Sequence, residues 1–412
     1  MKKSVSIILV LLSLISLGTA CLEPINAQSQ SVSAIQLVDT INLRATGVMA
    51  YNPVKGEMWA GYSVPYTNEL GMNVSKYNSI AVISDTNHSI IATIEVGYEP
   101  SSIAYDSGKN LMFVVNRDSR TVSVVSCSNY SVLATIDLND PNYKGNMAPT
   151  GAVYDSRKGE IFVFDYFTGN ITVISDSTYQ VVATFSLGTN PTPQGMVYDA
   201  NMGEIFVKYY QIEKTSKPSN FVTVIDDRSY KVIATIPLSS NSGAWAFDSG
   251  KGELYIATAN NSVSVISDKT NSVVATISVP LGTYTPSLAY DSAKGVIFTA
   301  NYSNNSTSII SDSTHTVIET VQLGTNPGKI AYNSGKGELF VTNSGAPNIL
   351  VFSDASLPNS PTAAPNITSS PTPTPTPSVP EFPLWTILPL FAVATLLSIV
   401  FIRKVPKNSV LE

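Results

Sequence analysis

Two histidines, one internal cysteine and a modest set of carboxylates are the groups in this 412-residue chain that could carry chemistry. His88 and His315 stand in "DTNHS" and "DSTHT". A histidine can act as a general base, a metal ligand or the relay of a Ser-His-Asp triad. Both occupy the same place in a recurring segment, where other copies carry Tyr130, Tyr179, Tyr230 and Asn271. That place reads as an outer hairpin, so both histidines are predicted at the surface. A histidine metal site, haem ligand or triad is therefore not expected. Cys127 has no histidine placed to activate it. It replaces an aspartate of a recurring turn and is expected to be an exposed free thiol. Cys21 lies at the edge of a leader segment, so no disulfide framework is implied. Carboxylates could serve as acid and base, but most stand in repeated turns such as "DSGKGE". These turns lack the ligand spacing of a calcium loop. Their glycines join two extended runs, whereas a phosphate-binding loop needs a following helix. No catalytic residue, metal or cofactor is assigned, and the chain is expected not to be an enzyme.

The elements that would position such groups come from an internal repeat. Aligning on the last residue of "VISD" gives Asp85, Cys127, Asp176, Asp227, Asp268, Asp312 and Asp354. The spacings of about 41 to 51 residues fit one four-stranded propeller blade per repeat. Short β-branched runs recur and no segment has helical periodicity, which excludes a helical solenoid. In the second repeat "SSIAYD", "LMFVVN", "TVSVVS" and "SVLATIDL" read as the four strands. The turn between the first two ends in Gly56, Gly159, Gly203, Gly252, Gly295 or Gly337, with Asn110 in the second repeat. Glycine, or failing that asparagine, suits a left-handed residue there. The preceding Asp or Asn can bind the turn backbone through its side chain.

The seventh repeat has "GKIAYN", "ELFVTN" and "NILVFS" but no fourth strand. An unassigned segment near the other end, "AIQLVDTINL" at 34–43, matches the fourth-strand pattern. The expected fold is all-β, a seven-bladed propeller over 33–357 whose last blade is closed by the N-terminal strand.

Departures from the repeat mark candidate binding elements, since function is commonly carried on loops. Inserts at 61–78 and 209–220 separate second and third strands, and 139–150 leads into the third repeat. In a propeller these connections share one face. They carry Tyr62, Tyr66, Tyr77, Tyr143, Tyr209 and Tyr210, side chains suited to glycans, peptides or surface proteins. Sequons for N-glycosylation occur at Asn73, Asn87, Asn129, Asn170, Asn260, Asn301, Asn304, Asn305 and Asn366, which makes some occupancy expected in an exported chain.

Charged residues make up 13% of the chain and the net charge is −6, so no basic footprint for nucleic acid is present. Residues 1–27 read as a secretory signal, with Lys2 and Lys3 before an apolar run. Residues 358–383 alternate Pro and Thr and are expected to form an extended stalk, reaching roughly 80 Å at about 3.1 Å per residue. The uncharged run 384–402 is just long enough for a membrane helix. The basic flank in 403–412 marks a cytoplasmic tail.

"FVTN" at 340–343, "FVVN" at 113–116 and "FTAN" at 298–301, with "VIATI" at 232–236, resemble the YVTN-type β-propeller repeat of archaeal surface-layer and cell-surface proteins. "VPEFP" at 379–383 followed by the apolar span and "RK" resembles a PEF-type sorting tail. The resemblance implies a glycoprotein exported to the outer face of the cell membrane, acting in binding or adhesion. It specifies fold more strongly than function. Two alternatives stay open: an extracellular lyase or hydrolase using carboxylates on the rim or in the channel, and a self-associating structural component of the envelope.

Overall fold

The computed structural model describes residues 33–67, 73–139, 147–187, 191–212, 218–238, 242–258, 261–282 and 287–358. The chain divides into units 1–361 and 362–412, and every described residue belongs to the first. The leader and the stalk, span and tail lie outside the described residues. Among the described residues no helix is long and apolar enough to cross a membrane.

Seven four-stranded antiparallel sheets follow one another along the chain. Blades one to six span 45–95, 100–137, 149–186, 191–238, 242–278 and 288–322. Blade seven takes its first three strands from Pro327–Asn333, Glu338–Asn343 and Asn348–Ser353 and its outer strand from Gln36–Ile41. In that last pairing Ile41 faces Ile349 and Gln36 faces Ser353. The fourth strand missing from the end of the sequence is supplied by its beginning, as the pattern predicts.

The apolar runs sit where both faces of a strand are covered. Every residue of the second strand of blade two, Leu111–Asn116, is buried, because each blade is packed between two others. The core is accordingly a set of seams. One cluster joins Trp59, Ile80 and Val82 of blade one to Met112, Val114 and Val125 of blade two. Each fully buried large side chain contributes about 1.5–3 kcal/mol.

Outer strands face water on one side and alternate, as in Val132–Asp137. All seven carry a register shift near their start, which twists the free edge and hinders pairing with another sheet. The shift leaves apolar residues exposed in every blade, among them Ile90 and Ile91, Val232 and Ile233, and Leu37 and Val38.

The described residues of the inserts at 61–78 and 209–220 are strand rather than loop. They prolong the strands themselves: Glu57–Thr67 and Asn73–Ser84 in blade one, Glu204–Ile212 and Pro218–Asp226 in blade four. The equivalent strands of blade two have six residues each.

Candidate functional site

On one face the turn between strands one and two meets the turn between strands three and four. The Asp of "YDSGKN" accepts from the turn backbone: Asp106 Oδ1 lies 2.8 Å from Gly108 N and 3.0 Å from Lys109 N. The Asp of "VISD" is buried beside the turn glycine. Asp85 N donates to Gly56 O at 2.9 Å, and its carboxylate accepts from Tyr51 at 2.9 Å. Tyr332 binds Asp354 in the same way at 2.9 Å and Tyr198 binds Asp227 at 3.1 Å. Burial first, then a nearby carboxylate (Asp85 for Tyr51, Asp155 for Tyr198), pushes these phenols upward. Except at Asp268, where blade four has Met202, a lysine of the preceding blade reaches the cluster. Lys251 reaches Asp312 at 2.8 Å and Lys294 reaches Asp354 at 2.7 Å. The carboxylates of the repeat are thus structural ties between blades. Among the described residues no group of His, Cys, Asp and Glu could hold a metal ion.

Two expectations are corrected here. Cys127 is not an exposed thiol; it is fully buried, and burial pushes it up to about 12. It stands where the other blades bury an aspartate. Nor do the histidines project into solvent. The place they share has a left-handed backbone, with φ of 54° at His88, 61° at Tyr130 and 52° at His315. This turns the side chain back onto the preceding blade. His88 Nδ1 is 2.9 Å from Asp39 and Nε2 3.4 Å from Glu338, with the ring edge-on to Phe340. His315 Nε2 is 3.0 Å from Glu253. Tyr130 and Tyr230 donate to Glu57 and Glu160 from the same place. These residues fasten seams, and His88 fastens the one that closes the ring.

The opposite face holds the connections between strands two and three and between strand four and the next blade. Glu99 N donates to Tyr77 O at 2.5 Å and Arg117 N to Glu99 O at 2.9 Å, tying both kinds of connection together. Cavities open here around the central channel. One of about 500 Å³ is lined by the first strands of six blades and by Ser287 just before that of blade six, and includes Lys208, Trp245 and Lys329. A second of about 740 Å³ runs from Arg44 to Lys329 and the Ser344–Pro347 turn. A third, about 440 Å³, has Arg44 and Tyr77 in its wall. Next to them a cavity of about 810 Å³ lies between Arg117, Met147, Tyr166 and Phe167. Volumes of this size suit small ligands.

The tyrosines do not form one cluster. Tyr77 is exposed at the channel-mouth side. Tyr62 is partly buried against the seam between blades seven and one. Tyr209 is stacked on Phe221 with ring centroids 5.6 Å apart. Tyr66 and Tyr210 lie on the prolonged strands, their side chains outside the described residues, as is Tyr143 altogether. Sequence reasoning passed over Arg44, Lys208 and Lys329. The lysine in "FVKYY", where blade two has "FVVN", was the signal for one of them.

Among the sequons, Asn87 and Asn129 are exposed in turns. Asn87 Oδ1 accepts from Ser89 N at 3.1 Å and from its hydroxyl at 2.7 Å, and Asn129 and Ser131 repeat this. The Asn-x-Ser spacing therefore has a turn-forming role of its own. Asn301 departs from expectation: it is fully buried, its amide donating to Ser306 and Ser308. Asn304 is exposed but its amide donates to Pro280 O, and Asn305 accepts from Asn326 N. Asn170 opens the third strand of blade three, half-buried, and Asn73 opens the third strand of blade one. Asn260 and Asn366 lie outside the described residues.

No family model matches the chain, and no curated protein does. Solved structures do: 1638 of their chains match. One is a chain of Kuenenia stuttgartiensis hydrazine synthase, with a TM-score of 0.62 and 13% identity over 78% of this chain and 97% of that one. At that identity the likeness concerns the fold alone. The class is a seven-bladed β-propeller.

Proposed function

We propose that this chain is a cell-surface propeller of the YVTN-like archaeal type, exported by its leader and anchored through its C-terminal span. It binds envelope glycans or surface proteins and does not transform them. The observation that carries this reading is the prolonged hairpins of blades one and four. They rise on the face where the channel opens, and a binding ring needs such elements where a purely structural ring does not. The stalk composition and the exposed sequons at Asn87 and Asn129 fit an outer-surface setting. Hydrazine synthase is by name an enzyme, but nothing of its chemistry is carried over. The described residues lining the innermost cavity include no Asp or Glu; on the rim, from which the enzymatic alternative could equally draw its carboxylates, Glu99 and Asp118 are neighbours beside Arg117.

The test is binding of the purified chain to a glycan array and to isolated envelope fractions. Tyr66→Ala with Tyr210→Ala is expected to weaken binding about tenfold, near 1.4 kcal/mol, without shifting the melt. Unaltered binding would remove these hairpins from the site. One observation favours a structural, self-associating role: the exposed apolar pairs repeated around the outer strands. Sedimentation of the chain over a range of concentrations separates that role, since it requires assembly in the absence of any envelope ligand.

A further inference from the structure

The protein carries a net charge of −6, yet the sign reverses inside its central channel. The described residues lining the innermost cavity include two lysines and no Asp or Glu. Lys208 comes from the second strand of blade four and Lys329 from the first strand of blade seven, which lie on opposite sides of a seven-membered ring. Lys208 is buried, 4% exposed, and its ammonium donates to Gly243 O of the next blade. Lys329 is reached by solvent, but its ammonium has no hydrogen-bond or ion-pair partner among the described residues. Burial first, then the charge of Lys329, pulls Lys208 down to about 8. The protein crowded around the channel lowers Lys329 by desolvation, although solvent in the channel reaches the side chain. At the mouth stands Arg44, also without a side-chain partner among the described residues, in a wall shared with Lys329. On the rim beside that mouth Glu99 pairs with Arg117 at 2.5 Å, and Arg117 also reaches Asp118 at 3.4 Å.

Two like charges placed across a narrow channel repel, and enclosing them costs solvation. A bound anion removes both penalties. Around the cations stand Ser101, Ser287, Gln194 and the indole of Trp245, neutral groups suited to a polar ligand. We propose that the channel is an oxyanion site: Lys329 and Lys208, with Arg44 at the entrance, hold the carboxylate, phosphate or sulfate group of a small ligand. This goes beyond the rim reading and does not rest on it, because none of the insert tyrosines takes part.

The experiment is isothermal titration of the full-length chain with glucuronate, inorganic phosphate and sulfate, each at constant ionic strength against chloride. One of the three is expected to bind one-to-one. Lys329→Met should weaken it about tenfold or more and Lys329→Arg should largely retain it, with the melt unchanged because this side chain is reached by solvent. Preference for glucuronate identifies a sugar-borne carboxylate, and preference for phosphate or sulfate a tetrahedral anion. Binding of none of the three above the chloride background, or binding indifferent to Lys329→Met, overturns the proposal. Loss of glycan binding in the Tyr66 and Tyr210 variant with oxyanion binding intact would keep the two readings separate.

Discussion

Blade two departs from the turn pattern at two positions, and the structure makes them a matched pair. In blade one a Cβ added at Gly56 would lie 2.7 Å from an Asp85 carboxylate oxygen. Blade two has a Cβ there, on Asn110, and has Cys127 in place of the aspartate. Asn110 takes over the lost acceptor: its Oδ1 receives Tyr105 OH at 3.2 Å and Asn52 Nδ2 at 2.9 Å. Restoring only one member should therefore destabilise. Cys127→Asp sets a carboxylate against the Asn110 side chain, an overpacking worth about 1–3 kcal/mol. Asn110→Gly leaves the Tyr105 hydroxyl and the Asn52 amide without their acceptor, about 1–3 kcal/mol for a buried group. The double variant rebuilds the arrangement of the other blades, with Lys55, which already binds Cys127 O at 2.7 Å, beside the new carboxylate. It is expected within about 1 kcal/mol of the parent, a coupling of about 2–3 kcal/mol. Urea unfolding of the four proteins by tryptophan fluorescence measures this. If the two costs simply add, the exchange of roles between Asn110 and the aspartate is wrong.

Blade four has Met202 where other blades place the lysine that reaches the next blade's aspartate, and Asp268 Oδ1 has no partner. Met202→Lys should stabilise the chain by about 1 kcal/mol at neutral pH. Burial, then Asp199, holds the Asp268 carboxyl above its ordinary value. Its penalty thus grows as pH rises through the window from the ordinary to the raised value. The gain should fade below that window, and a gain independent of pH would contradict the pairing. Deleting residues 33–44 removes the outer strand of blade seven and the Asp39 partner of His88. Circular dichroism should then show a lower melting temperature for the whole ring, and an unchanged melt would show that closure is not what holds it.

The blade count, the closing strand and the turn glycines were legible in the sequence because each follows from a local period or from one residue's backbone preference. The surroundings of His88 and Cys127 were not, because another element covers a turn that by itself looks exposed. A signal was nevertheless present. Where the left-handed residue is His88, Tyr130, Tyr230 or His315, the preceding blade opens its second strand with Glu338, Glu57, Glu160 or Glu253. At the corresponding place Leu357 meets Val296, both in one apolar cluster. Side chains matched across two repeats report contact between blades. The channel cations gave a weaker sign, since Lys208 and Lys329 lie far apart in the chain and only ring geometry brings them to one cavity.

The outer strand of blade seven has a consequence for how the protein is made. Residues 36–41 leave the ribosome first among the strands, and their partner, Asn348–Ser353, leaves last. Through almost the whole of synthesis the first strand has nothing to pair with and the seam fastened by His88 cannot form. A chain stopped short of that partner would display a bare strand and an unsealed seam to proteases. The intact ring therefore acts as a receipt for translation through its last strand, Asn348–Ser353.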